Sequence, residues 1–257
     1  MEKLERVEMA ILRLIAGPGG EVQLQQLVND DWMKRVRTES GRDDVVAEEV
    51  FEAIWSLLAK RLLYFDIRGR QEIYWTLRPT ANGQQALKEE EFNPYDRSGF
   101  IQRLRSMVPT ISADVLAYVD ESVGAFHNGL FLSSTVMLGA ASEAAFLELA
   151  DSFSRKMLSG KTQSDFNEVL KSRTFIVKMD EFSKRLDPKV EQLPPEVADG
   201  LDLQLRAVLD AFRRNRNDAG HPTGRRFTRE ECYTSLNMAA LYLRRLYALK
   251  TALDDMP

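Results

Sequence analysis

The segment from residue 131 to residue 153, FLSSTVMLGAASEAAFLELADSF, constrains the fold more than any other part of the sequence. Its middle is a run of small side chains, comprising Gly139, Ala140, Ala141, Ser142, Ala144 and Ala145. Small side chains let a neighbouring helix approach closely. The segment therefore predicts a long helix that runs through the centre of a helical bundle.

The rest of the second half also repeats with helical period. Val115, Val119 and Phe126 belong to one apolar stripe, and further helices are expected near 166–171 and 175–186. Pro194-Pro195 interrupts the pattern, and two long helices should follow at about 196–219 and 228–254. The sequence thus predicts a helical domain over residues 97–257.

The first 92 residues predict a different order, in which three helices precede a β-hairpin and a closing helix. An apolar face from Leu4 to Ile15 is stopped by four Gly and Pro residues at 17–20. A short second helix is expected at 22–28, a polar connection at 29–44 and a third helix at 46–58. Two apolar-aromatic runs, LLYFDI and EIYWTL, flank Arg68-Gly69-Arg70 as hairpin strands, and Pro79 lies near the start of the closing helix. Glu89-Glu90-Glu91 and Asn93-Pro94 mark the boundary between the domains.

This order, ending in YWTLRPTANGQQAL, resembles a winged helix-turn-helix domain over about a third of the chain. The resemblance implies DNA binding through the third helix and the wing tip. Only Arg68 and Arg70 fit a nucleic-acid contact at the wing, and they could equally form a solvated hairpin tip. The third helix begins with acidic residues that would repel phosphates, namely Asp43, Asp44, Glu48, Glu49 and Glu52. The pattern therefore favours a winged helix that serves protein contacts or dimerisation.

Composition indicates the cellular compartment and the half of the chain in which a polyanion site is expected. No apolar run approaches the roughly 20 residues that span a bilayer, and the charged first helix is unlike a secretory signal. The single cysteine, Cys232, excludes an intrachain disulfide, so a cytoplasmic protein is the expectation. The net charge of −4 is uneven, since residues 1–96 carry −5 and the remainder +1. A site for a polyanion is therefore expected in the second half.

Residues 212–222, FRRNRNDAGHP, hold the strongest chemical pattern. The apolar face of the preceding helix passes through Leu205, Leu209 and Phe212, and four residues further it reaches Arg216. A charge on that face needs a partner, either a core carboxylate such as Glu143 or a ligand. His221 lies in a turn between Gly220 and Pro222, whereas the other histidine, His127, is expected to be structural.

The Arg216-Asn217-x-x-x-His221 pattern in a helical domain resembles the HEPN ribonuclease family. The resemblance implies that Arg216 and His221 cleave RNA without a metal or cofactor, in a cleft shared by two copies of the chain. Asn217 would hold the ribose or phosphate or orient His221, and Glu143 could support Arg216. The RNA backbone would be gathered by Arg213, Arg214, Arg225, Arg226 and Arg229, whose alternative is a solvated basic face. Antiphage defence or a toxin system would be the setting.

Two other functions stay open at this point. The helical domain could be a non-catalytic HEPN-like scaffold of a larger complex, with the motif at its dimer interface. The chain could instead be a winged-helix DNA-binding regulator, against which the acidic third helix counts. The sequence lacks a phosphate-binding Gly-rich loop and the motifs H-E-x-x-H and G-x-S-x-G. The expected fold is therefore mainly α, with a winged helix at 1–92 and a HEPN-like bundle at 97–257.

Overall fold

The computed structural model describes residues 3–18, 22–68, 75–88, 93–172, 174–198, 201–222 and 224–256. The chain divides into two compact units, residues 1–102 and 103–257. The division falls inside a helix, Arg97–Met107, a few residues beyond the boundary expected between 92 and 97. The described part of the chain is mainly helical, with a small antiparallel sheet in the first unit.

The first unit combines short helices with three short strands. The elements in chain order are α1 (Lys3–Ala16), β1 (Val22–Gln23), a 3-10 turn (Leu24–Gln26), α2 (Asp30–Ser40), α3 (Ala47–Ala59), β2 (Leu63–Asp66), β3 (Thr76–Pro79) and α4 (Ala81–Ala86). The strands are ordered β1-β3-β2, and Leu77 of β3 faces Val22 on one side and Phe65 on the other. Helix α1 packs against α2 and α3, which confirms the first and third predicted helices.

The predicted second helix at 22–28 and the predicted polar connection at 29–44 are wrong. Residues 22–26 form β1 and the 3-10 turn, and the helix lies later, at α2. The Asn29 side chain accepts a hydrogen bond from the backbone N–H of Trp32 at 2.8 Å, which begins α2. Gly41, with φ 65°, ends it in the left-handed conformation. The apolar signal, Trp32, Met33 and Val36, is buried but too short to stand out in a charged segment.

The hairpin prediction is confirmed by β2 and β3, whose pairing runs from Leu63↔Pro79 to Asp66↔Thr76. Pro79 ends β3 and lies two residues before α4, near the start of the closing helix as expected. Helix α4 begins at Ala81. Thr80 caps it, because the Thr80 hydroxyl accepts a hydrogen bond from the Gly83 N–H at 3.0 Å. Residues 69–74, including Arg70, lie outside the described residues.

The second unit is built on one long helix. Its elements, after the Arg97–Met107 helix α5, are α6 (Ala113–His127), α7 (Phe131–Met157), α8 (Gly160–Leu170), α9 (Phe175–Leu186), a 3-10 segment (Asp187–Gln192), α10 (Pro195–Ala198), α11 (Leu201–Gly220) and α12 (Arg229–Asp254). Helix α7 packs against α6, α11 and α12, and its small residues Ala141 and Ala145 are fully buried. The prediction of a central small-residue helix is therefore confirmed.

The predicted helix at 196–219 corresponds to the short α10 and the long α11. Residues 199 and 200, between them, lie outside the described residues. Helix α12 agrees with the predicted 228–254, and Thr228 caps it by accepting a hydrogen bond from the Glu231 N–H at 3.2 Å. Among the described residues, no helix is both long and apolar enough to cross a membrane.

The cap of α2 gives a direct test of the revised helix position. Replacing Asn29 by Ala should lower the free energy of unfolding of the first unit by about 1 kcal/mol, because the Trp32 N–H loses its acceptor. Asn29→Asp keeps an acceptor oxygen and should stay close to wild type. Urea denaturation followed by circular dichroism measures both. Equal stabilities of Asn29→Ala and wild type would contradict a helix beginning at Asp30.

Candidate functional site

A glycine of α7 sets the distance between α7 and the last turns of α11. A Cβ placed on Gly139 would collide with the Cβ of Arg216 and would lie 2.7 Å from its Cγ and 3.3 Å from the Phe212 carbonyl oxygen. Non-bonded carbon atoms prefer about 3.5–4.0 Å. The aliphatic stem of Arg216 therefore occupies the space that the missing side chain leaves on α7.

The guanidinium of Arg216 is held on one side only. Its Nη1 lies 3.6 Å from Oε1 of Glu143 and donates a hydrogen bond to Oδ1 of Asn217 at 3.4 Å. Both contacts use Nη1, so Nε and Nη2 have no hydrogen bond to a described residue. The side chain is 42% exposed. Arg216 is thus fixed by α7 and still presents two donor nitrogens to a ligand.

Glu143 is the core carboxylate that the sequence suggested for Arg216. It lies one helical turn after Gly139, and its side chain is mostly buried. Burial raises the pKa of Glu143, and this effect outweighs the charges of Arg216, Arg213 and Lys178, which lower that pKa. Its Oε1 is buried and accepts no hydrogen bond from a described residue. Glu143 therefore pairs with Arg216 by charge alone and remains incompletely solvated.

His221 is the first residue after α11 and is exposed. Its backbone N–H donates to the Asn217 carbonyl at 3.0 Å, so the helical path continues to this residue. At about 100° per residue, His221 is turned roughly 140° from Arg216 and shares a face with Asn217 and Arg213. Helical geometry therefore does not aim the two predicted catalytic side chains of one chain at the same point.

The predicted RNA-binding arginines on α11 already have carboxylate partners. Asp210 accepts hydrogen bonds from Nε and Nη2 of Arg213 at 3.1 and 2.8 Å, and its other oxygen lies 2.7 Å from Nε of Arg214. The hydrogen bonds from Arg213 lower the pKa of Asp210. Arg213 is half-buried, whereas Arg214 is well exposed. Arg214 is thus both paired with Asp210 and mostly exposed to solvent.

The arginines that follow α11 are engaged in the turn before α12. Arg225 donates to Asp218 at 2.5 Å and stacks 4.6 Å above the ring centre of Phe227. Arg229 lies over two aromatic rings, at 5.8 Å from the ring centre of Phe126 and 5.4 Å from that of Phe131. The fifth predicted arginine, Arg226, is exposed. The predicted basic rim is therefore largely neutralised or stacked within the unit.

The remaining residues that the sequence singled out belong to other elements of the chain. In the first unit, Nε of Arg68 donates to Asp66 at 2.8 Å, and Arg78 also pairs with Asp66, so the pKa of Asp66 falls to about 2. His127 is buried beside Phe126, as expected for a structural histidine. Among the described residues, no three His, Cys, Asp or Glu side chains gather as a metal site requires.

Sequence reasoning missed Asp210 and Asp218, the carboxylates that pair with Arg213, Arg214 and Arg225. Asp210 precedes Arg213 and Arg214 by three and four residues, which is the spacing of helical ion pairs, so the signal was present. Asp218 and Arg225 are joined across the turn after α11, and no spacing rule indicates such a pair. Gly139 was part of the small-residue segment, but its contact with Arg216 requires the helix register, which the sequence does not supply.

Neither a protein-family model, nor a curated protein, nor a solved structure matches this chain. The chemistry of the motif must therefore be judged from its own geometry.

The close approach of α7 and α11 can be tested with two glycines. Gly139→Ala should lower the free energy of unfolding of the second unit by about 1–3 kcal/mol, because the new methyl group overlaps the stem of Arg216. Gly220→Ala is the matched control, since a Cβ there meets no atom within 4 Å. The control should leave stability unchanged or slightly higher. Thermal and urea denaturation measure both variants, and equal effects would contradict the packing.

The raised pKa of Glu143 predicts a pH-dependent stability. Its pKa is higher in the folded protein than in the unfolded chain, so the folded protein loses stability as the pH rises from the ordinary glutamate pKa through the raised one. Glu143→Gln removes that loss. The stability of the variant relative to wild type should therefore increase as the pH rises from about 4, the ordinary glutamate pKa, through the raised pKa.

Urea denaturation across this pH range measures the difference, with Glu168→Gln as the control. Glu168 is well exposed and pairs with Lys171 three residues later, so its substitution should add little dependence on pH. A relative stability of Glu143→Gln that stays constant or falls with increasing pH would show that the carboxylate is not held above its ordinary pKa.

Proposed function

We propose that the second unit is a metal-independent endoribonuclease of the HEPN type that acts as a homodimer. The observation that carries the proposal is the state of Arg216, whose stem is fixed on α7 while Nε and Nη2 face no described partner. Two parallel N–H donors of a guanidinium match two oxygens of a phosphate. The exposed His221, five residues further, supplies an imidazole, the side chain used most often to transfer protons in catalysis.

The reaction that these groups support is cleavage of RNA by its own 2′-hydroxyl. The 2′-oxygen forms a bond to the adjacent phosphorus while its proton passes to the imidazole of a His221 side chain. The bond from phosphorus to the 5′-oxygen breaks, and the leaving oxygen takes a proton from an imidazolium. The products are a 2′,3′-cyclic phosphate and a 5′-hydroxyl. Arg216 stabilises the negative charge that develops on the phosphate oxygens.

Two copies of the chain solve two difficulties of this proposal. One His221 cannot accept one proton and donate another in the same step, and its direction differs from that of Arg216 by roughly 140°. A two-fold axis beside the end of α11 brings two copies of the motif to one cleft. Asn217 accepts a hydrogen bond from Arg216 and precedes His221 by one helical turn on the same face, so in each copy it lies next to both residues in the motif.

The ion pairs of the arginines define how RNA would be bound. Phosphates must compete with Asp210 for Arg213 and Arg214 and with Asp218 for Arg225. Exchange of one anion for another gives little net affinity, so binding of the RNA backbone should be weak and dependent on salt. Arg226, which is exposed, is the first candidate for a direct phosphate contact. Specific cleavage therefore depends on Arg216 more than on the arginines around it.

A second function, a non-catalytic scaffold with the same fold, is favoured by one observation. Each of Arg213, Arg214, Arg216 and Arg225 has a carboxylate partner within the unit. An arginine set of this kind can stabilise a bundle without any ligand. In this alternative the motif would lie at a dimer interface and RNA would not be cleaved. For both functions we propose that the first unit is a winged helix that makes protein contacts and that the protein is cytoplasmic.

Cleavage assays separate these two functions. Wild type incubated with mixed-sequence RNA in a chelator should give cyclic-phosphate and 5′-hydroxyl ends. Arg216→Ala and His221→Ala should each reduce the cleavage rate by about 100-fold or more, because each removes a group that acts in the transition state. Arg155→Ala is the control, since Arg155 is a half-exposed arginine of α7 that pairs with Asp151. Its rate should equal that of wild type.

Sedimentation of the same samples tests the two-copy site. Wild type should sediment as a dimer at the concentrations at which it cleaves. Cleavage that survives in His221→Ala would contradict the proposed chemistry, and cleavage by a monomer would contradict the shared cleft. A dimeric wild type that leaves every RNA intact would favour the scaffold.

A further inference from the structure

Helix α3 in the first unit presents two large aromatic side chains to solvent. Trp55 is 69% exposed and Phe51 is 42% exposed, and they are one helical turn apart. Glu48 and Glu52 lie on the same face at helical spacing and are also exposed. The buried face of the helix is formed by other residues, namely Val50, Ala53, Ile54 and Leu57. We refer to Glu48, Phe51, Glu52 and Trp55 as the α3 face.

Phe51 and Trp55 are not needed to attach α3 to the core of the first unit. Val50 and Leu57 are fully buried, so α3 is already anchored without Phe51 and Trp55. A single exposed apolar residue is ordinary on a protein surface, but two large aromatics on one helical face form a patch. Tryptophan is also among the residues that contribute most to binding when a partner covers them. The α3 face therefore has the features of a contact surface.

The charge of the α3 face limits what can bind there. Residues 43–59 contain five acidic residues and no lysine or arginine. Arg42 neutralises Asp44 and Glu49, each at 3.0 Å. Glu48 and Glu52, in contrast, have no ion pair with a described residue. A surface with unpaired carboxylates repels phosphates and acidic membranes and attracts cations.

We propose that the α3 face binds a protein segment that carries Lys or Arg side chains between apolar ones. The cations would pair with Glu48 and Glu52 and could stack on the indole of Trp55, which is the best aromatic partner for a cation. The apolar side chains of the segment would cover Phe51 and Trp55. This inference concerns the first unit alone and is independent of whether the second unit cleaves RNA.

Two synthetic helical peptides test the proposal on the full chain. One is an amphipathic peptide of leucine and lysine, and the other has every lysine replaced by glutamate. Fluorescence anisotropy of the labelled peptides gives their dissociation constants at low and high salt. The lysine peptide should bind the wild type, and its binding should weaken with salt. The glutamate peptide should not bind.

Surface variants identify where the lysine peptide binds. Trp55→Ala should weaken its binding by about tenfold or more, as expected for a central aromatic contact. The double variant Glu48→Gln with Glu52→Gln should weaken the binding and remove most of its salt dependence. Leu241→Ala and Glu168→Gln, at exposed positions of the second unit, are controls that should bind as wild type does. All these positions are exposed, so loss of folding does not confuse the result.

Several results would overturn the proposal. They are equal binding of the two peptides, no binding of the lysine peptide, or unchanged binding by Trp55→Ala. Self-association of the wild type that is lost in Trp55→Ala would assign the α3 face to a second copy of the chain. Salt-sensitive binding of duplex DNA that depends on Trp55 would assign it to nucleic acid.

Discussion

The close contact of α7 with α11 at Gly139 is the constraint on which the site depends. Because no side chain stands at this position, the stem of Arg216 lies directly on the central helix. The same register places Glu143, one turn further along α7, opposite the guanidinium. Any larger residue at 139 would move α11 outward and separate this pair. The close packing of α7 and α11, and not the ion pair, therefore determines the position of Arg216.

The pairing of Arg216 with Glu143 is too loose to satisfy either group. The 3.6 Å separation exceeds a hydrogen bond, and burial raises the pKa of the carboxyl in spite of three nearby cations. A partly buried carboxylate that is poorly hydrogen-bonded gains when the adjacent cation stays in place. The exposed side of the guanidinium gains when an anion binds there. Glu143 thus positions Arg216 but leaves two of its donor nitrogens open. Arg213 differs, because its two hydrogen bonds to Asp210 leave fewer donors for a ligand.

Periodicity predicted the elements of the fold better than the contacts of the site. The small-residue segment predicted α7, and the apolar face through Leu209 and Phe212 correctly placed Arg216 against the bundle. Helix α2 escaped prediction because only three apolar residues mark it, and its start depends on one side-chain cap at Asn29. The direction of His221 relative to Arg216 also escaped prediction. Spacing suggested a pair, but it did not reveal that the helical path continues through Gly220 to the histidine.

The α3 face and the end of α11 differ in which charged groups are left without a partner. Near α3, Arg42 pairs with Asp44 and Glu49, whereas Glu48 and Glu52 have no ion pair with a described residue and lie beside exposed aromatic side chains. At the end of α11 the carboxylates Asp210 and Asp218 are paired with arginines, and the groups left open include two donor nitrogens of Arg216 and the imidazole of His221. The surface of α3 repels a polyanion, whereas the open donors at the end of α11 can bind one. The distribution of unpaired charge, more than the net charge, is therefore the basis on which we propose an RNA phosphate at the motif and a basic protein segment at α3.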